Sequence, residues 1–218
     1  MNNTLKRKRR NEIETLDDLI ELCDSDEKTK EITKLKKIKK SLEKLNGMIG
    51  MNSVKKNIIY QILYFLQNLN HKGDMLHTVI TGPPGLGKTE LSKIISEIYS
   101  VLGILPSGQI IFAKRSDLVG EYLGETAIKT QDVLNSALGG VLVIDECYSL
   151  GHPEKRDSYS KECIDTINQF LTEEKEKFCC IICGYEDALK ANFFSQNAGL
   201  ERRFPWKYDI QEYNNFEL

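Results

Sequence analysis

The spacing of hydrophobic residues changes near residue 46. Before that point, apolar residues recur every three or four positions in two stretches, which start at Ile13 and at Ile32. This period predicts two helices with narrow apolar stripes. The stripes consist of Ile13, Leu16, Leu19, Ile20 and Cys23, and of Ile32, Leu35, Ile38, Leu42 and Leu45. Lysine is frequent elsewhere in the second stretch, which indicates a solvated helix face, with docking of a partner as the secondary interpretation.

From residue 46 onward, short apolar runs alternate with segments of helical length. A helix capped by Asn52 or Ser53 comes first. Strands are then predicted at about 76–81, 109–113, 141–145, 178–183 and 207–210, with helices at about 88–101, 126–138, 159–174 and 186–195. This alternation predicts an α/β fold with a parallel sheet covered on both faces. We therefore expect an α/β core at 46–218, preceded by a basic tail and helical extension at 1–45.

The charge and hydropathy of the chain disfavour two classes of partner. The formal net charge is -2, so no global positive field attracts nucleic acid or an anionic membrane. No apolar run reaches the roughly 18 residues that a membrane span needs, and the N-terminus lacks the apolar core of a signal peptide. These features predict an intracellular, cytoplasmic protein. A basic run at residues 6–10 is interpreted as a solvated tail, with a nuclear address as the alternative.

The six cysteines predict a reducing environment. Three of them, Cys179, Cys180 and Cys183, lie in one apolar run, where they are expected to act as small buried hydrophobes. Cys180 and Cys183 have C-x-x-C spacing, but no second pair follows and no histidine is near in sequence. Metal or redox chemistry is therefore disfavoured.

The loop after the first predicted strand has the pattern of a phosphate-binding loop. It matches G-x-x-x-x-G-K-[ST] in full, with Gly82, Pro83, Pro84, Gly85, Leu86, Gly87, Lys88 and Thr89. Glycines let such a loop curl until its N–H groups point at phosphate oxygens, aided by the N-terminus of the next helix. Lys88 then reaches the β- and γ-phosphates of ATP, and the Thr89 hydroxyl binds Mg²⁺. The predicted nucleotide contacts extend by one residue, to Glu90, and a chance match in a glycine-rich turn is disfavoured by the flanking strand and helix.

A second chemical signal is an apolar strand that runs into two acids. The run Val141–Ile144 is followed by Asp145 and Glu146. In such an element the first carboxylate holds the magnesium ion, here through its water shell, and the second acts as general base toward the attacking water. An acidic strand end is often only the start of a solvated loop. Downstream of an intact phosphate loop, the functional interpretation is favoured.

Four stretches together resemble the AAA+ ATPases, and most closely the branch of red-type Rubisco activases and related sporulation-stage ATPases. They are residues 46–51 with Val54 and Lys55, the phosphate loop, residues 115–126, and residues 139–148. The resemblance covers about residues 43–210. It implies five parallel strands in the order 5-1-4-3-2 and ATP at the carboxyl ends of the first and third strands. It also implies that Ile49 and Gly50 lie around the adenine.

The same resemblance implies a ring-forming protein that grips a polypeptide. In the family, an aromatic–apolar–glycine loop after the second strand projects into the pore of a hexameric ring, and here that loop is Tyr122, Leu123 and Gly124. The alternative is that Tyr122 packs on the sheet edge. An arginine finger, which reaches the γ-phosphate of the neighbouring subunit, corresponds first to Arg203 and second to Arg202, with a pair of surface arginines as the alternative. Tyr185 or Gly184 stands where most AAA+ proteins have a water-orienting Asn or Thr, so that role is not assigned.

These observations favour an ATP-driven, magnesium-dependent remodeller of a protein substrate, acting as a homo-oligomer. One alternative is a nucleotide-switched binding module with negligible turnover. Another is a nucleic-acid motor or loader, which the acidic balance and the pore-like loop disfavour. The family usually carries a helical lid after the fifth strand, whereas this sequence stops at Leu218. The expectation is a truncated form or a lid supplied from elsewhere.

Overall fold

The computed structural model describes residues 13–71, 73–122, 124–152, 154 and 157–212. Contacts divide these residues into a first unit that ends at Asn70 and a second unit from His71 to Glu212. The basic run at 6–10 and Leu123 lie outside the described residues. Within the described ranges, no helix is long and apolar enough to cross a membrane.

The first unit consists of four helices. They are α1 (Leu16–Asp24), α2 (Lys30–Lys37), α3 (Lys39–Asn46) and α4 (Asn52–Leu66). Thr15 caps α1 and Thr29 caps α2, each by accepting a backbone N–H. The predicted stripes form the core of this unit, because Leu19, Ile38 and Leu42 are each 0% exposed. The apolar stripe of the second stretch is therefore packed inside the protein.

Two sequence predictions for this unit are wrong in detail. The second predicted helix is broken at Ile38, where φ is -94° and ψ is 5° and the amide donates to the Leu35 carbonyl at 3.0 Å. Such a tightened turn ends an α-helix without the glycine or proline that would mark it in sequence. The predicted cap of α4 is absent, because Met51 precedes the helix in the left-handed region (φ 58°) and no side chain accepts a hydrogen bond there.

The second unit is built on one parallel sheet. Its strands are β1 (Thr78–Thr81), β2 (Ile110–Ala113), β3 (Val141–Ile144), β4 (Cys179–Gly184) and β5 (Trp206–Asp209). The order β2-β3-β4-β1-β5 confirms the predicted 5-1-4-3-2 arrangement. Every residue of β1, β3 and β4 is buried, as expected for strands covered on both faces.

Helices connect these strands. They are α5 (Lys88–Val101), α6 (Arg115–Leu118), α7 (Glu125–Ser136), α8 (Ser158–Glu173) and α9 (Glu186–Ala188), with 3₁₀ turns at Cys147–Leu150, Phe194–Gln196 and Glu201–Arg203. The helix predicted at about 186–195 is instead α9 followed by a π turn at Leu189–Phe193 and a 3₁₀ turn. The Asn192 carbonyl lies against Gly151, where a Cβ would come within 1.8 Å of it, so long-range packing shapes this segment.

The register of the sheet brings the ends of four strands to one edge. Thr81 pairs with Gly184, and Ala113 pairs with Ile144, so β1, β2, β3 and β4 end close together. The Gly82 amide donates to the Gly184 carbonyl at 3.3 Å, which ties the loop after β1 to the end of β4. The carboxyl edge of a parallel sheet is where ligands of such folds bind.

Candidate active site at the carboxyl edge of the sheet

Glycines determine the path of the loop between β1 and α5. Gly82, Gly85 and Gly87 have φ values of 143°, 78° and 83°, in the region that side-chain-bearing residues rarely adopt. A Cβ at Gly82 would also lie 2.6 Å from the Ile210 carbonyl oxygen. The loop thus curls directly into α5, which begins at Lys88 with first-turn N–H groups that the helix itself cannot satisfy.

This loop and the acidic end of β3 line a common cavity of about 210 Å³. Its walls are Pro84, Gly85, Gly87, Lys88, Thr89, Asp145, Glu146, Tyr148, Gly184 and Tyr185. The fold therefore brings the two predicted motifs together, although they are far apart in sequence. The Thr89 hydroxyl and the Asp145 carboxylate supply oxygen donors, the type that Mg²⁺ prefers, so the donor set of the cavity fits this ion.

Lys88 holds its ammonium at the mouth of the loop. Its Nζ donates to the carbonyl oxygens of Gly82 at 2.8 Å and Pro83 at 2.7 Å. The same atom lies over the ring of Tyr185, 5.7 Å from the centroid. A positive charge is thus presented beside the N-terminus of α5, and both features favour an anionic ligand.

Glu146 has an unusual backbone conformation. Its φ and ψ are 50° and 41°, the left-handed region that non-glycine residues rarely occupy and that concentrates at functional sites. The turn is held by the Glu146 amide, which donates to Asp145 Oδ1 at 3.0 Å, and by the Ser149 amide, which donates to the Glu146 carbonyl at 2.8 Å. Burial, followed by the negative charge of Glu146, raises the pKa of Tyr148 above its usual value.

Two aromatic residues that the sequence prediction left without a role belong to the cavity. Tyr148 and Tyr185 have ring centroids 5.6 Å apart, at an interplanar angle of 40°. Tyr185 follows β4 directly and is 43% exposed. The position of Tyr185 at a strand end was visible in sequence, but its contact with Lys88 and Tyr148 depends on the sheet order.

Some predicted nucleotide contacts lie outside this cavity. Gly82 and Pro83 line a second cavity of about 290 Å³ that shares Tyr185. Glu90 is exposed and pairs with Lys93 at 3.4 Å. Leu86 is half-buried and does not line the 210 Å³ cavity. Ile49 and Gly50 belong to the first unit, where Ile49 is 57% exposed, and their adenine-binding role stays a prediction.

The predicted pore residue Tyr122 lies on the surface. Its side chain is 68% exposed, which contradicts packing on the sheet edge. Its amide donates to Glu125 Oε2 at 3.2 Å, and Gly124 precedes α7 with φ of 86°. An exposed ring on a short loop next to a glycine is available to contact another molecule.

The two candidate finger arginines differ in their surroundings. Arg203 is half-buried and donates from Nε to Thr172 Oγ1 at 2.7 Å and from Nη1 to the Gly199 carbonyl at 2.6 Å. Burial, followed by the nearby charge of Arg202, lowers the pKa of Arg203. Arg202 is exposed. Both guanidinium groups therefore remain candidates, with Arg202 the more accessible one.

Cys179, Cys180 and Cys183 are buried, as predicted for their apolar run. All six are buried and free, and burial raises the pKa of Cys163 and Cys183 to about 11. Among the residues that the structure describes, no group of three or more His, Cys, Asp or Glu side chains could hold a metal ion. Thiols of this kind are inert hydrophobes.

Sequence comparisons find one family. The model of the ATPase family associated with various cellular activities (AAA) matches residues 78–198. A cfxQ-like protein of Acanthamoeba polyphaga mimivirus is 47% identical over 178 residues, which are 81% of this chain and 44% of that protein. Stage V sporulation protein K of Bacillus subtilis is 37% identical over 183 residues, 81% of this chain and 56% of that protein.

An activase and a solved AAA domain are also similar to this chain. The chloroplastic ribulose bisphosphate carboxylase/oxygenase activase of Cyanidioschyzon merolae is 35% identical over 178 residues, 78% of this chain and 60% of that protein. The chain thus spans about half the length of these relatives. A crystal structure of the FIGL-1 AAA domain in complex with ADP aligns with a TM-score of 0.53 and 19% identity, over 77% of this chain and 55% of that one, which shows a shared fold.

Proposed function

Because the chain belongs to the AAA family of ATPases, in the branch of its CfxQ-like and stage V sporulation relatives, we propose that it binds ATP with Mg²⁺ and hydrolyses it. The observation that carries this proposal is the 210 Å³ cavity. It combines a glycine-shaped loop, a lysine ammonium, a hydroxyl and two carboxylates at the carboxyl edge of a parallel sheet. These groups are the ones that phosphoryl transfer to water requires.

Phosphate binding falls to the loop and to Lys88. The N–H groups from Gly85 to Thr89 and the α5 N-terminus surround the phosphates, and Lys88 binds the β- and γ-phosphate oxygens. In the described structure its ammonium donates to carbonyls of the same loop, within reach of the cavity. Thr89 and Asp145 hold Mg²⁺, which neutralises charge on the phosphates when it is bound.

Glu146 acts as the general base. Its carboxylate accepts a proton from the water whose oxygen attacks the γ-phosphorus, while the bond to the leaving ADP oxygen breaks. Hydrogen bonds with Asp145 and Ser149 hold the backbone of Glu146, which is one of the residues that line the cavity. An arginine of a neighbouring subunit, Arg203 or Arg202, stabilises the charge that develops on the phosphoryl group. Residues 46–218 are the proposed nucleotide-binding core, and contact of Ile49 and Gly50 with adenine stays a prediction from the sequence.

The work done with ATP is remodelling of a protein substrate by a homo-oligomeric ring. The exposed Tyr122 ring supports this proposal, because an aromatic side chain beside Gly124 contacts an extended polypeptide without requiring a particular sequence. Leu123, which lies outside the described residues, is assigned to the same substrate contact from the sequence. The similarity to a Rubisco activase supports a protein as the substrate class.

Turnover and assembly measured together test this function. We expect the ATPase rate per subunit to rise with protein concentration in Mg²⁺, in step with assembly followed by light scattering, because each site needs a neighbour's arginine. Assembly and tight ATP binding without turnover at any concentration would favour the nucleotide-switched module instead. Absence of ATP binding would contradict the site assignment itself.

A further inference from the structure

Arg115 makes a connection that neither motif predicts. It is the first residue of α6, in the segment between β2 and α7 that carries Tyr122. Its guanidinium donates to the Ser149 carbonyl at 2.7 Å and the Leu150 carbonyl at 3.2 Å. It also donates to Ser160 Oγ at 2.9 Å and to Asp157 Oδ2 at 2.6 Å. One side chain thus joins four groups that lie on two other segments.

The two carbonyl partners belong to the turn that starts at Glu146. Ser149 and Leu150 are part of the 3₁₀ turn Cys147–Leu150, and the Ser149 amide donates to the Glu146 carbonyl at 2.8 Å. Through Ser149, the backbone of Glu146 is thus linked by hydrogen bonds to Arg115. Arg115 does not line the cavity, so its influence on the site acts through this turn.

Asp157 fixes the other side of the guanidinium. It caps α8 by accepting the amides of Tyr159 at 3.0 Å and Ser160 at 3.3 Å, and it accepts the Ser160 hydroxyl at 2.6 Å. Partial burial alone would raise the pKa of Asp157, but hydrogen bonds from Ser160 and Arg115 lower it to about 2. The carboxylate is consequently ionised at neutral pH and pairs with Arg115 through a charge-assisted hydrogen bond.

A second side chain also holds the segment that carries Tyr122, close to Arg115 in sequence. Lys129 of α7 donates to the Ser116 carbonyl at 2.7 Å and to the Val119 carbonyl at 3.0 Å. This lysine fastens the same segment to α7 without contacting the turn after Glu146. Lys129 is therefore a matched control for Arg115, because both side chains secure one segment and only Arg115 connects it to the acidic strand end.

We propose that Arg115 is a positioning residue that couples the Glu146 turn to the Tyr122 loop. The proposal rests on the proposed ATPase function. A planar guanidinium with several donors in fixed geometry holds both segments in one relative arrangement, which a lysine ammonium does less well. Nucleotide-dependent changes at Glu146 then reach Tyr122 through Arg115, and the loop in turn constrains the base.

The test compares Arg115→Gln, Arg115→Lys, Asp157→Asn and Lys129→Gln in the full chain. Because all six native cysteines are buried, a single Glu121→Cys substitution allows selective labelling of the exposed loop with a fluorescent maleimide. Three quantities are measured for each protein: ATP affinity, turnover, and the ATP-dependent change in loop fluorescence. A residue with a merely structural role would not separate these quantities.

Arg115→Gln is expected to bind ATP like the parent, to turn over about 3- to 30-fold more slowly, and to lose the ATP-dependent fluorescence change. Arg115→Lys is expected to restore part of the turnover and part of the fluorescence change. Asp157→Asn is expected to lose less of both than Arg115→Gln does. Lys129→Gln is expected to retain the turnover of the parent. Turnover and an ATP-dependent fluorescence change in Arg115→Gln that equal those of the parent overturn the inference. The inference also fails if Lys129→Gln loses as much turnover and signal as Arg115→Gln. If Arg115→Gln does not fold, Asp157→Asn takes its place in the test. Turnover and a fluorescence change equal to those of the parent would then overturn the inference. Failure of the parent to bind ATP contradicts the proposed function instead.

Discussion

The ammonium of Lys88 lies over the ring of Tyr185, 5.7 Å from its centroid. Tyr185 follows β4 and also contacts Tyr148, so two aromatic rings lie together at this strand end. A cation–π contact at a half-exposed site contributes about 0.5–1 kcal/mol. It is therefore weak enough for Lys88 to exchange it for phosphate oxygens.

Lys88→Ala is expected to abolish ATP binding. The substitution removes the side-chain cation that the proposed site offers to the β- and γ-phosphates. Titration calorimetry with ATP and Mg²⁺ measures the affinity. Lys93→Ala is the matched control, since Lys93 lies further along the same helix and pairs with exposed Glu90. Equal affinity of Lys88→Ala and the parent would contradict the assignment of the loop.

Glu146→Gln is expected to retain ATP and to lose turnover. The amide preserves the size of the side chain but cannot accept a proton from water, and loss of a general base costs roughly 100- to 10,000-fold. Bound nucleotide is measured by filter retention and turnover by phosphate release. Wild-type turnover in this variant would remove Glu146 from the mechanism and would favour the switched binding module.

Tyr122→Ala is expected to lose substrate unfolding without loss of stability. The ring is 68% exposed, and surface substitutions usually change stability by less than about 0.5 kcal/mol, or roughly 2 °C in Tm. Thermal unfolding and ATP-dependent unfolding of a model protein are measured side by side. Ile128→Ala, which removes a side chain that is 66% exposed on α7, serves as the control. A large fall in Tm for Tyr122→Ala would identify the ring as a folding contact.

His77 is expected to make the protein less stable in mild acid. Its Nδ1 accepts the Cys180 amide and its Nε2 contacts the Leu171 carbonyl, and burial lowers the pKa of His77 to about 4. Between about pH 4 and 6.5, the His77 imidazole is protonated in the unfolded chain and neutral in the folded chain. The free energy of unfolding therefore falls as the pH falls through this window. The loss amounts to about 2 kcal/mol at pH 5.

Urea unfolding at pH 7, 6 and 5 measures this dependence. Asp157 does not contribute in the same range, because its pKa is about 2 in the fold and 3.8 as the ordinary value. His77→Gln removes the titrating ring and leaves His71 and His152 in place. If His77→Gln loses as much stability between pH 7 and pH 5 as the parent protein does, another group causes the pH dependence.

The sheet was predictable because each strand carries its own signal. Val141–Ile144 is an apolar run long enough for a strand, and its burial on both faces requires nothing beyond that run. The break at Ile38 and the π turn at Leu189–Phe193 were not predictable, since no local breaker marks either one. In the π turn, the determining contact is between Asn192 and Gly151, which are distant in sequence.

The candidate site also has parts that the sequence predicted and parts that it did not. Lys88 and Asp145 belong to motifs whose spacing is local, and the structure brings both to one cavity. The link from Arg115 to Asp157 spans 42 residues and three elements, so it depends on how β2, β3 and α8 pack. No periodicity or motif in either segment encodes such a pair.

The arginine finger is expected to act between subunits. Arg203→Ala should retain ATP binding and lose turnover by about 1,000-fold or more, because the guanidinium serves the neighbour's phosphates. Arg203 also donates to Thr172 and Gly199 in its own subunit, whereas Arg202 is exposed. Arg202→Ala is therefore measured in parallel, with Tm as the control for lost internal bonds. A collapse of turnover in Arg202→Ala alone would move the finger to that residue.

Mixing two inactive proteins tests the finger and the assembly in one experiment. Arg203→Ala has an intact phosphate loop but no finger, while Lys88→Ala lacks the phosphate cation and still offers a finger. When the two variants are combined, the Lys88→Ala subunit completes the site of its Arg203→Ala neighbour, so part of the turnover should return. Light scattering verifies that the two proteins assemble together. A mixture of Lys88→Ala with Glu146→Gln controls for contaminating ATPase activity, because neither of these variants has a complete site of its own. A mixture that assembles but stays inactive, for both Arg203→Ala and Arg202→Ala, contradicts the in-trans mechanism.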